Sequence, residues 1–384
     1  MSLLHPTSRQ PDFFMSIELF QSEERQHSPS VFQVAAAAGH EKVVDFCYLS
    51  NKFFPTPEII AQLGQNLEDI VRNYPSMQTE QCALAGALTG FDPRQILVGN
   101  GASELIHLVA ARLGTRWLMP FPSYMEYENV IRDFNKHLFL HQLTEAEDFQ
   151  VNVPRLLRDI EAQQIDAIVL PNPNSPTGRK TSVEDLLTLL RSCSRLKAVV
   201  IDESFIEFTS IPRAGIPTLR HHLAQFPNLV VVRSMGKDYG VCGLRLGIVA
   251  TANAGVLDEI RRFVPIWNIS PMAERFLRLC LNHRDDYEQA RVRCIEETQS
   301  LAKRLMAFPQ LKVWETFSNF ILFKILDART TSVEMRDFLL KKHGLYVRDC
   351  SRKGGLGDKF IRVGTNLPAE NQRLVEAIRE FFAV

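Results

Sequence analysis

A chain of 384 residues, 45% hydrophobic and 23% charged, is long enough for a large core and for about two domains. Its 44 lysines and arginines balance 44 aspartates and glutamates, so no global field draws it to nucleic acid or to a membrane surface. No apolar run approaches the roughly 18–20 residues of a membrane span, and seven scattered cysteines with no CxxC pair argue against a disulfide framework or a metal site and fit a reducing cytoplasm.

The first residues, "MSLLHPTSRQPDFFMSIELFQ", lack a basic segment followed by an apolar one. They read as an arm over 1–44 rather than a secretion signal. From about residue 78 to 250, short apolar runs alternate with helical patterns. The strand candidates are "QILVGN" (95–100), "RWLMPF" (116–121), "HLFLHQL" (137–143), "DAIVLPN" (166–172), "KAVVIDE" (197–203), "NLVVVRS" (228–234) and "LGIVAT" (246–251). Helical stretches such as "SELIHLVAARLG" and "SVEDLLTLLRSCSRL" lie between them, the alternation of βαβ units and a mostly parallel sheet. After "VPIWNISPMAE" come long helices over 271–308, broken near Asn282–His283. Strand-like "KVWETFSNFILFKI" and "KFIRVGT" follow, then a closing helix, "PAENQRLVEAIREFF". The expectation is an α/β chain with a large domain over 76–270 and a small α+β domain from 45–75 and 271–384.

Ligands of open α/β sheets bind beyond the carboxyl ends of the strands, and several polar motifs fall there. "ILVGNGASEL" ends a strand on glycines and starts a helix near Ser103, which suits either a bound phosphate or an ordinary helix cap. A nicotinamide-binding turn would need GxGxxG, and "GNGASE" lacks the third glycine. In "VVIDESF", Asp202 closes an apolar run; such a carboxylate keeps a ring nitrogen protonated, or pairs with a local arginine. "PNPNSPTG" (171–178) is a proline-stiffened loop. In "VVRSMGKDYGVCGLRLGI" (231–248), Lys237 sits just past a strand amid glycines, with Ser234 and Arg245 beside it. A desolvated lysine amine is able to form a Schiff base, whereas a solvated loop lysine is the commoner case. Phosphate ligands, a buried carboxylate and a lysine amine in one chain order are the protein's parts in pyridoxal-phosphate chemistry.

From about Asp45 to the C-terminus, these motifs resemble the class I/II aminotransferase family of fold-type I pyridoxal-phosphate enzymes. The branch is that of histidinol-phosphate aminotransferase and threonine-phosphate decarboxylase. The resemblance implies an aspartate aminotransferase-like fold, pyridoxal 5'-phosphate as cofactor, and a cytoplasmic homodimer with shared active sites. It implies an internal aldimine at Lys237, a ring-nitrogen partner in Asp202, and a stacking ring in Tyr124. Ala102, Ser103, Ser234 and Arg245 would hold the cofactor phosphate, with Tyr74 of "RNYPS" reaching it from the neighbouring subunit. Arg362 of "FIRVGT" would bind the substrate carboxylate, with Arg348 beside it and Asn51 of "LSNKFFP" near the substrate. Two positions depart from the family. Ser175, preceded by Asn174, stands where an asparagine usually contacts the ring O3′, and Phe205 replaces a tyrosine. Near the N-terminus, "HSP" (His27–Pro29) stands where the decarboxylase branch has "HGG" for a substrate phosphate, which implies an unphosphorylated amino acid. Transamination is the expected reaction. The alternative is a lyase: a decarboxylase of the threonine-phosphate type, or a dehydrating or cyclising enzyme on a hydroxy or guanidino amino acid.

Overall fold

The computed structural model describes residues 28–383, and is built around two main sheets. The first strand, β1 (Val44–Asp45), lies apart from both. The larger sheet contains β2 (Ile96–Asn100), β3 (Arg116–Phe121), β4 (His137–Gln142), β5 (Ala167–Pro171), β6 (Ala198–Asp202), β7 (Leu229–Ser234) and β8 (Leu246–Ala250), in the order β2-β8-β7-β6-β5-β3-β4. From β7 to β4 every pairing is parallel. β8 runs antiparallel to both of its neighbours. The expected strands are all present, and the mostly parallel sheet carries this one reversed member.

The apolar runs are continuous because the sheet is buried on both faces. In β6, Ala198 and Val200 join one core cluster while Val199 and Ile201 join the other. The helix Gly101–Leu113 covers the first face with Leu105, Ile106, Val109, Ala110 and Leu113, a helical spacing. Truncating a side chain such as Ile201 to alanine would cost about 2–5 kcal/mol.

The second sheet is antiparallel: β9 (Leu311–Val313), β10 (Phe320–Ile325), β12 (Arg348–Asp349) and β13 (Phe360–Gly364), in the order β12-β13-β10-β9. Between them in sequence, β11 (Leu345–Tyr346) pairs in parallel with β1, Val44 opposite Leu345. The helices Arg284–Met306, Ser332–His343 and Pro368–Ala383 pack on this unit.

The sequence reading grouped residues 45–75 and all residues from 271 with the smaller domain. Phe54, Ile59, Leu63, Phe276 and Leu277 share a core with the strands of the larger sheet, because these segments lay their apolar faces on it. Within the expected arm, Val31–Ala38 is a helix with a capping box from Ser30 and Gln33, and Val34 packs with Leu340 and Tyr346. The rest of that arm, residues 1–27, lies outside the described residues. Among the described residues, no helix is long and apolar enough to cross a membrane.

Candidate active site

The parallel strands and β2 end on one edge of the large sheet, and reversed β8 begins there. The register sets Asn100 opposite Leu246, Ser234 opposite Gly247 and Pro171 opposite Asp202. A cavity of about 420 Å³ opens at this edge, with the smaller sheet as its other wall.

The floor comes from the strand ends. Asp202 is buried; its Oδ2 accepts from Tyr127 Oη at 2.8 Å and its Oδ1 from the Ser204 N–H at 2.9 Å. Burial raises its carboxyl pKa, while the bonds from Ser204 and Tyr127 and the charge of Lys237 pull it back. Lys237 lies in a short helix, Met235–Asp238, that follows β7. The helix Gly101–Leu113 starts without a side-chain cap on its first N–H groups, and Ala102 and Ser103 of its first turn line the cavity. Arg245 donates through Nη2 to Ser103 Oγ at 2.8 Å, and the Gly101 N–H donates to the Arg245 carbonyl at 2.9 Å. This closeness requires Gly247, where a Cβ would overlap the Ala102 backbone. Ser234 completes this corner, and Tyr124 presents its ring to the cavity, edge-on to Tyr127 with centroids 6.2 Å apart. Burial, ahead of nearby Glu126 and Asp202, raises the Tyr124 phenol.

The roof comes from the smaller sheet and the N-terminal segment. Arg348 and Arg362 are direct cross-strand partners on β12 and β13. Arg362 donates to Ser175 Oγ at 3.1 Å and to the Cys47 carbonyl at 2.6 Å, while its Nε is buried with no partner. Arg348 donates to Ser28 Oγ. Lys353 also lines the cavity and is only 7% exposed. Burial, then the charges of Arg348 and Arg362, push its ammonium pKa down to about 7.

The structure thus brings Ala102, Ser103, Tyr124, Ser175, Asp202, Phe205, Ser234, Lys237, Arg245, Arg348 and Arg362 to one cavity. Phe205 meets Phe320 edge-on at 5.1 Å. Two residues expected at this chain's own site, Asn174 and Asn51, stand outside the cavity, while Tyr74 is expected at the neighbouring subunit's site. Asn174 is committed to a strut, donating to the Pro122 carbonyl and Thr177 Oγ1 and accepting from Ser123 Oγ. It is Ser175 that faces the cavity. Asn51 ties its own segment to the lysine helix: its N–H donates to the Lys237 carbonyl at 2.7 Å and its Nδ2 to that of Asp238 at 3.1 Å. Tyr74 is 74% exposed outside the cavity, stacked on Trp267 at 4.1 Å. His27 lies outside the described residues. Sequence reasoning passed over Tyr127, Ser204, Ser28 and Lys353. The first two stood beside named residues, in "YMEY" and "DES"; Lys353 was marked only by a basic pair before two glycines, "RKGG".

The floor fits pyridoxal phosphate. Uncapped helix N–H groups, Ser103, Ser234 and Arg245 suit the phosphate, Asp202 the ring nitrogen, and Lys237 the carbonyl carbon. Among the described residues, no group of three or more His, Cys, Asp or Glu is placed to hold a metal ion.

Residues 41–378 match the family described as aminotransferase class I and II. The chain is 30% identical over 372 residues to an L-serine phosphate decarboxylase of Campylobacter jejuni, covering 93% of each. It is 25% identical over 357 residues to a histidinol-phosphate aminotransferase of Methanothermobacter thermautotrophicus, covering 91% of this chain and 92% of that one. A solved decarboxylase from Sulfurospirillum multivorans superposes with a TM-score of 0.84 at 26% identity, over 92% of each chain.

Proposed function

Because the chain belongs to the class I and II aminotransferase family and is a pyridoxal-phosphate enzyme, we propose that it decarboxylates an α-amino acid carrying a phosphate on its side chain. The observation that carries this reading is the pair Arg348 and Arg362, set directly opposite each other in the cavity wall. Like charges in that position are destabilising by themselves, so the pair is built for a ligand with two anionic ends. Arg362, with its buried Nε unpartnered, suits the α-carboxylate, and Arg348 the phosphate. The expectation of an unphosphorylated substrate rested on "HSP" replacing "HGG". Its serine, Ser28, lines the same cavity and bonds Arg348, so the substitution leaves a polar contact where the phosphate would lie.

Bound on the floor, pyridoxal phosphate supplies an electron sink for the bond broken at the substrate Cα. The Lys237 amine would anchor the cofactor and move a proton at the substrate Cα. Asp202 holds a proton on the ring nitrogen, held in place itself by Tyr127 and Ser204. Ala102, Ser103, Ser234 and Arg245 would hold the cofactor phosphate, and Tyr124 would lie against the ring. Arg362 would grip the substrate carboxylate and so orient the bonds at Cα. Asn51 acts by positioning the lysine helix.

Transamination is the second reading, favoured by the aminotransferase among the relatives. We also infer a cytoplasmic homodimer. Tyr74 and Trp267 are both exposed and stack on each other at 4.1 Å, an apolar spot for a second copy that would carry Tyr74 to the partner's site.

The test is to add O-phospho-L-serine, L-serine and histidinol phosphate to the holoenzyme, following cofactor absorbance and products. The phosphorylated amino acid should give the absorbance shift and release carbon dioxide with no keto-acid acceptor present. A keto acid formed only with acceptor would make the enzyme a transaminase.

A further inference from the structure

The loop after β12 turns back at Lys353, where two glycines follow. A Cβ at Gly354 would overlap the Phe121 ring, and Gly355 packs on the same ring with φ +84°. The loop therefore lies directly against the end of β3. That contact presses Lys353 into the cavity wall beside Ser123, whose carbonyl its Nζ reaches at 3.5 Å, a long and weak bond. Among the described residues no carboxylate pairs with it. The charged and titratable groups that bear on it are Arg348, Arg362, Cys350 and Cys47. A buried lysine beside two arginines is unfavourable unless something negative enters between them.

We propose that Lys353 is a specificity-determining residue, a third cation that binds the side-chain phosphate of the substrate and selects a dianion over singly charged or neutral side chains. The inference rests on the phosphorylated-substrate reading above. Arg362 is occupied by the carboxylate, and Arg348 alone balances half of a phosphate dianion; Lys353 supplies the second charge. Near neutral pH a depressed lysine is only partly charged, so a dianion would draw a proton onto it as it binds. A sulfate ester, with one charge, draws that proton less strongly.

The experiment titrates holoenzyme with O-phospho-L-serine, L-serine O-sulfate and L-serine, reading dissociation constants from cofactor absorbance. Wild type is compared with Lys353→Met and Lys353→Gln. We expect the preference for phosphate over both other ligands to fall about 10–100-fold in the variants, the loss of one charge-assisted contact. Calorimetry at pH 8 in buffers of different ionisation enthalpy should show wild type taking up about one proton more than Lys353→Met per O-phospho-L-serine bound. An unchanged preference, or equal weakening of all three ligands, overturns the role of Lys353 and leaves the proposed function standing. A wild-type enzyme with no preference for the phosphorylated amino acid overturns both.

Discussion

On the floor of the cavity, Asp202 accepts from two donors and Arg245 is clasped to Ser103 at 2.8 Å. On the roof, Arg362 keeps a buried Nε without a partner, Arg348 faces it across the strand pair, and Lys353 reaches one carbonyl at 3.5 Å. Both walls are charged and each holds a buried ionisable group, Asp202 on the floor and Lys353 on the roof, so the difference lies in what completes them. A wall whose polar groups already hold one another keeps its geometry whether or not a ligand is bound, which suits a resident cofactor. A wall in which the Arg362 Nε has no partner and Lys353 makes one long bond would be finished by an anion that comes and goes, as the proposed phosphorylated substrate does.

Variants on the two walls should therefore fail differently. The largest loss is expected from Lys237→Ala on the floor, with turnover down at least about 10⁴-fold for every substrate. Borohydride reduction and peptide mapping of wild type should find the pyridoxyl group on Lys237, and finding it on another lysine would remove the assignment. Asp202→Asn should keep the cofactor bound and lower turnover about 10³-fold, again without regard to side chain, because an amide does not hold a charged ring nitrogen. Near-normal kcat would break the description of the floor.

On the roof, Arg362→Lys should raise KM about 10–100-fold, since an ammonium cannot copy a bidentate grip on a carboxylate. A matching loss of carbon dioxide relative to side products would sharpen the comparison, because the same residue sets the bond that breaks. The smallest effect is one of stability. Lys353 has a pKa of about 7 in the folded chain, against roughly 10.4 unfolded. Between those values the unfolded chain binds the extra proton, so this residue makes wild type progressively less stable as pH falls from about 10 to about 7. Lys353→Met should melt a few degrees higher at pH 7, with the gap closing toward pH 10. A lower melting temperature at pH 7 would mean that the lysine is already neutralised by the protein.

The same contrast explains what was legible in the sequence. Lys237, Asp202 and Ser103 each sit at the end of an apolar run, and a parallel sheet carries such ends to one edge, so their meeting follows from local patterns and topology. The strands fall close to their expected bounds for the same reason: "DAIVLPN" became Ala167–Pro171. The roles first given to Asn51 and Asn174 depended on side-chain direction, which spacing does not encode; both amides turn to backbone partners instead. The roof was harder still. Lys353 is buried where its glycine neighbours lie against Phe121, a contact between residues far apart in the chain. The split of the core was also hidden, since the helix Pro57–Gly64 has an apolar stripe that says only that it packs, not on which sheet.

The parallel pairing of β1 with β11 bears on how the molecule is made. His40 bonds the carbonyl of Leu340, 300 positions away, and β1 joins β11 beside it. During synthesis the strands of the large sheet and the lysine helix emerge well before β11, while the earliest described segment waits for a partner near the end of the chain. The cofactor wall is thus completed in sequence long before the segment carrying Ser28 and Cys47 is fastened down over it. Between the emergence of β8 and that of β11 a nascent chain would have an open-topped site, and a bulky phosphorylated ring would have its widest entry then, before β1 is joined to β11.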